Sequence, residues 1–202
     1  MACTARLRTT AAAVALTAVL AACSGGAEPE AGASPEAAAS STPAAQPSAS
    51  PSPSASAEGG KPERPEAMEQ HDADGAAAAA EYFLSLRSYI MRTGDTAEWE
   101  AMSHAACEFC SSGLAQARQI AERGDVFEGG EITARTVQRY ERDAATGIWP
   151  LDVEMDEAAT RIVDANGDVL LEAERSVEVN RVEMGLVDGD WVVVTVASLP
   201  EE

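Results

Sequence analysis

Cys107 and Cys110, set as Cys-Glu-Phe-Cys, are the side chains of this 202-residue sequence whose type and spacing most directly imply chemistry. Three chemistries use that spacing. Residues three apart on a helical turn have α-carbons about 5 to 6 Å apart, within reach of a disulfide. Near a helix N-terminus the same spacing lowers a thiol pKa and gives a redox dithiol. With further ligands it holds zinc, which takes four. The surroundings favour a structural disulfide between Cys107 and Cys110. Helical pattern, not a strand, precedes the pair, Glu108 places a negative charge inside it, and no strand–helix–strand unit encloses it. For zinc only His71 and His104 remain as soft ligands, and His71 borders a low-complexity stretch. No metal site and no cofactor are expected.

Asp164-Ala165-Asn166-Gly167-Asp168 begins like a calcium loop, but Val169 and Arg175 stand where such loops need glycine and a bidentate glutamate. A two-residue hairpin turn explains the same residues. The chain contains no Gly-x-Ser-x-Gly elbow, His-Glu-x-x-His pair, phosphate-cradling glycine loop or dinucleotide fingerprint. Carboxylates alternate from Asp152 to Glu178, which places them on the outer, solvated face of strands, where pKa values are not perturbed. The sequence supplies no catalytic residues, and its reading leans away from an enzyme.

A third cysteine carries a different chemistry. Arg6 and Arg8 precede an apolar run from Ala11 to Ala22, about 12 residues long, whereas a bilayer-spanning helix needs roughly 20. The run closes in Leu20-Ala21-Ala22-Cys23, which matches the bacterial lipobox. The expectation is a signal peptide over 1–22, diacylglycerol in thioether linkage on Cys23, and cleavage before that residue. Two acyl chains anchor a protein stably, at about 0.8 kcal/mol per buried methylene. The predicted address is the extracytoplasmic face of the cell membrane, with the lipid as the membrane contact.

Residues 23–66 are expected to form a disordered linker. From Ser24 to Glu66 there is no aromatic residue, and Thr42 is the only β-branched one. Such a stretch buries too little apolar surface to offset backbone ordering entropy. Its Ser-Pro alternation favours extended conformations, and a chain of this length spans on the order of 35 to 40 Å. The whole chain carries 14 basic and 34 acidic side chains, a net charge of -20, and loses Arg6 and Arg8 with the signal peptide. That surface repels phosphate backbones, so nucleic acid is not an expected partner. An unidentified protein or small-molecule ligand is.

Residues 67–202 hold every Trp, Tyr and Phe and must build the core. Tyr82, Phe83, Leu86, Tyr89 and Ile90 recur at helical spacing from near Gly75, and Gly94 is the expected stop. Asp95, three residues before Glu98, suggests a capping box that opens a short second helix bearing Trp99 and Met102. A third helix is expected from about Ser112 to Arg123. From Glu128 the period becomes two. Leu151, Val153 and Met155 are expected inward, as are Val169, Leu171, Ala173, Val177 and Val179. Asn166-Gly167 and Asp188-Gly189 mark hairpins, which predicts a meander with strands near 158 to 165, 168 to 181, 182 to 187 and 190 to 197. The fold class is α+β, N-terminal helices on one curved antiparallel sheet.

The stretch from Gly75-Ala76 through Tyr82-Phe83, with Thr93-Gly94-Asp95, Cys107-Glu108-Phe109-Cys110 and Gly129-Gly130, resembles an actinobacterial lipoprotein family of unknown function over roughly residues 62 to 197. That resemblance implies a surface location and no catalytic residues. Helices followed by a bent sheet are also similar to the nuclear transport factor 2-like cone, shared by ketosteroid isomerases and by noncatalytic accessory domains. No Asp and Tyr pair matches the isomerase by motif. The sequence thus predicts a tethered, noncatalytic domain that binds a partner or ligand, in the concavity between helices and sheet. The alternatives are a cone-fold isomerase or lyase and a thiol redox protein.

Overall fold

The computed structural model describes residues 60–199. The expected signal peptide, the lipidation site Cys23 and most of the expected linker lie outside them. The end of that linker stretch lies within them: Lys61 and Arg64 both reach the carboxylate of Glu98, Arg64 at 3.2 Å. A 3-10 turn at Glu66–Glu69 follows, and its Met68 carbonyl accepts the indole N–H of Trp191 at 2.9 Å.

The first long helix, α1, runs Ala73–Thr93. Asp72 caps it, its carboxylate accepting from the amides of Asp74 and Gly75, both at 3.0 Å, and Gly94 ends it in the left-handed region at φ 70°. Its first turns are small residues because the chain approaches closely there. A β-carbon on Gly75 would lie 1.8 Å from the Gln70 carbonyl oxygen. Helix α2, Ala97–Ala101, is short, with Trp99 inside it and Met102 at its C-cap. Thr96 stands at its cap position, Asp95 accepts the Ala97 amide at 3.4 Å, and Glu98 turns away to Lys61 and Arg64. Helix α3, Glu108–Arg123, starts four residues before Ser112, with Cys107 as its cap and Gly124 as its stop.

Seven strands follow: β1 Val126–Gly129, β2 Ile132–Arg139, β3 Trp149–Glu157, β4 Thr160–Val163, β5 Val169–Ala173, β6 Ser176–Val187 and β7 Asp190–Ser198. The chain is α+β, but the expected single sheet is two, both antiparallel: β2-β3-β6-β7 and β1-β4-β5. Both hairpin turns stand where the sequence placed them, with Gly167 at φ 90° and Asp188 and Gly189 at φ 54° and 94°. The simple meander does not. The β4–β5 hairpin leaves β3 and pairs with β1. The strand expected over 168 to 181 therefore breaks at Glu174 and Arg175, and 182 to 187 continues β6 instead of forming a strand of its own.

The facing of β6 also differs from expectation. Val182 pairs with Leu151 and Met184 with Trp149, so the even-numbered residues face the core, and Asn180 joins them opposite Val153. Val177 and Val179 consequently share the outer face with Asp156 and Glu154 and are exposed. Between helices and the four-stranded sheet the core is filled. Phe83 stacks on Trp99 at 4.0 Å, Trp149 meets Trp191 edge-on at 5.0 Å, and Leu84, Leu86, Leu151, Val153 and Val193 are fully buried around them. Each such large side chain contributes roughly 1.5–3 kcal/mol on burial.

Candidate functional site

The cysteine pair sits at the junction of α2 and α3. The sulfurs of Cys107 and Cys110 lie 1.96 Å apart, at disulfide distance, and their α-carbons 5.2 Å apart. The pair is sealed in: each cysteine is 1% exposed, the Cys110 amide donates to the Cys107 sulfur at 3.1 Å, and the Cys110 carbonyl accepts the Trp99 indole N–H at 2.9 Å. Thiol–disulfide exchange needs an attacking thiolate to reach a sulfur, and this burial obstructs it. Neither candidate histidine completes a metal set. His104 accepts the Ala106 amide through Nδ1, His71 packs edge-on against Trp191, and no cluster of three ligating side chains occurs among the described residues.

The isomerase reading needs a buried carboxylate facing a tyrosine, and such a pair exists. Asp152, on the outer face of β3, accepts from the Tyr140 hydroxyl at 2.7 Å and is nevertheless buried. Its other oxygen accepts from Arg181 Nε at 2.6 Å, and the guanidinium lies 4.6 Å above the Tyr140 ring. Burial pushes the Asp152 carboxyl up, but its bonds to Arg181 and Tyr140 outweigh burial and hold it below the usual carboxylate range. The trio is a fixed ion pair under an aromatic lid, whereas a general base at neutral pH requires the opposite shift. Tyr140 is itself exposed.

Two clefts open on the outside of the described residues. One, of about 310 Å³, lies among Arg142, Ile148, Gly185, Leu186, Val192 and His104. The other, of about 290 Å³, is lined by Glu128, Gly129, Thr160, Arg161, Glu172 and Ala173 on the three-stranded sheet. That second sheet carries the most unusual surface. Residues 165–179 are exposed without a break and include Val169, Leu170, Leu171, Val177 and Val179. Among the described residues strand β5 pairs only with β4, so its far edge has no strand partner there. Natural edge strands are blunted by charged side chains, Pro, shortness, bulges or a covering element. Val169-Leu170-Leu171-Glu172-Ala173 is short, is irregular at Leu170 and carries one charge, Glu172, but has no Lys or Pro among its three aliphatic side chains.

Sequence reasoning placed Val169 and Leu171 in the core and so missed this surface. The available signal was the uninterrupted Val-Leu-Leu run directly after an Asn-Gly turn, which breaks the polar alternation of a half-buried strand. The Tyr140–Asp152–Arg181 trio had no local signal, because its members come from three separate segments.

Residues 51–197 match the profile of a family described as a family of unknown function, DUF6318. No curated protein matches the chain. Among solved structures, the chain is similar to the intermembrane space region of chloroplast protein ARC6, at 12% identity and a TM-score of 0.51, over 63% of this chain and 98% of that one. It also aligns with Aln2 from a Streptomyces species, at 15% identity and a TM-score of 0.35, over 59% and 85%. The first is a likeness of fold alone, and the second is too slight to carry an argument.

Proposed function

The chain belongs to the DUF6318 family, and from that premise we propose that it is an extracytoplasmic lipoprotein whose folded part is a noncatalytic, protein-binding domain. Diacylglycerol on Cys23 holds it to the membrane, a linker ending near residue 66 lets it stand clear, and the cone-like packing of helices on sheet serves as a scaffold. An actinobacterial source fits the resemblance that the residues carry. The observation that supports a protein partner over a small ligand is the contrast between an interior where Phe83, Trp99, Leu151 and Val153 are fully buried and five large aliphatic side chains exposed within residues 165–179. Large apolar side chains left exposed along one segment are a mark of interaction surfaces.

Two measurements test this reading. Intact-mass analysis should find a chain that begins at Cys23 and carries diacylglycerol, and Cys23→Ala should leave the membrane fraction; a variant that stays there contradicts the tether. Carbodiimide cross-linking on intact cells, which joins the many carboxylates of this chain to amines of a partner, should convert the tethered chain into a discrete heteromeric species. A chain that stays monomeric under that treatment contradicts the binding role.

A further inference from the structure

We propose that the free edge of β5 takes an extended segment of the partner as a fourth, antiparallel strand of the β1-β4-β5 sheet, and that this segment alternates apolar and basic residues. The inference rests on the protein-binding reading and specifies its surface. On one face, Phe127 pairs with Ile162 and Ile162 with Leu171, an apolar row across three strands. Burial fades along it, from Phe127 at 5% and Ile162 at 6% to Leu171 at 41%, so the row ends uncovered at the edge. On the other face, Glu128 pairs with Arg161 and Arg161 with Glu172. That row alternates in charge and ends on an anion; Arg161 lies 3.9 Å from Glu128.

Cross-strand neighbours stabilise a sheet when apolar faces apolar and opposite charges face each other. A fourth strand that continues both rows sets an apolar side chain beside Leu171 and a cation beside Glu172, its next position. The backbone of β5 supplies the hydrogen bonds, and alternate side chains supply the selectivity. Charge around the edge agrees: Asp168, Glu172, Glu174 and Glu178 lie within 165–179, and its one cation, Arg175, is held by Asp156 at 2.7 Å. A second copy fits less well, because a two-fold axis through Leu171 sets Glu172 opposite Leu170 and adds a chain of net charge -20.

The probe is a capped peptide of alternating valine and lysine, titrated onto the full lipidated chain in uncharged detergent, with binding read by calorimetry and site by amide hydrogen exchange. Binding should slow exchange within Val169–Ala173 and weaken about tenfold when glutamate replaces the peptide lysines. Leu171→Asp should weaken it by a similar factor. Glu172→Lys, at an exposed site where it sets a like charge beside Arg161 at a cost of about 1 kcal/mol or less, should invert the preference toward the valine–glutamate peptide. Unprotected β5 amides, or an unchanged preference in Glu172→Lys, would overturn the proposal. So would protection that rises with chain concentration alone, the mark of a second copy, or protection given by uncharged vesicles without peptide. Should the cell-surface heteromer persist in Leu171→Asp, binding to a protein stands and the β5 edge falls.

Discussion

Asp152 shows how a single residue can imitate a catalytic group while serving the fold. Its carboxylate is buried between Arg181 and Tyr140, and removing one partner strands an anion with its desolvation uncompensated. Arg181→Met should lower stability by about 1–3 kcal/mol at pH 7, less than for a fully buried pair because the arginine is a third exposed. The sign with pH follows from the depressed carboxyl. The unfolded chain binds the Asp152 proton first, at the ordinary carboxylate pKa of about 3.9, so this contribution is present above that pH and is lost as pH falls through the lower folded value. The gap between wild type and Arg181→Met, measured by urea unfolding, should therefore be widest near neutrality and narrow in acid. At Cys107 and Cys110 the loop is short. Replacing both with alanine should cost about 2 kcal/mol, read as a lower denaturation midpoint, and should leave membrane fractionation unchanged.

At the scale of elements, what was legible followed from local chemistry. Gly94 and Gly124 stop helices because their positive φ suits glycine, and the Asn166-Gly167 and Asp188-Gly189 turns set two hairpins without reference to anything distant. The facing of β6 was hidden by Asn180, a polar residue at an inward position whose amide donates to the Met155 sulfur, so the apolar Val177 and Val179 passed for the inner set. The division into two sheets depends on whether β4 and β5 pair with β1 or with β3. That choice is made by contacts far apart in sequence, and alternation within one strand cannot report it. Helix α1 offers an element-scale test. Gly75→Ala places a methyl against a backbone carbonyl that cannot swing aside, so it should destabilise the domain by about 1–3 kcal/mol, although alanine favours helices elsewhere. Thermal unfolding of the variant checks the direction.

At the scale of the whole molecule, the acidic charge, the expected tether and the exposed β5 edge are joined by the proposal of a domain held near a membrane that offers a strand edge to a basic partner. An edge with three adjacent aliphatic side chains invites aggregation, and a net charge of -20 keeps copies apart. Attraction to a basic segment should weaken as salt rises and the Debye length falls to about 3 Å at 1 M. Titrations of the valine–lysine peptide at increasing ionic strength read this directly. Partner contact at the β5 edge can be read by placing a photoreactive side chain at position 170 on β5, and separately at exposed position 122 on α3, in the tethered chain on intact cells. A heteromeric adduct should form from position 170 and none from position 122. Adducts from position 122 alone, or from neither position, would overturn a protein partner on β5.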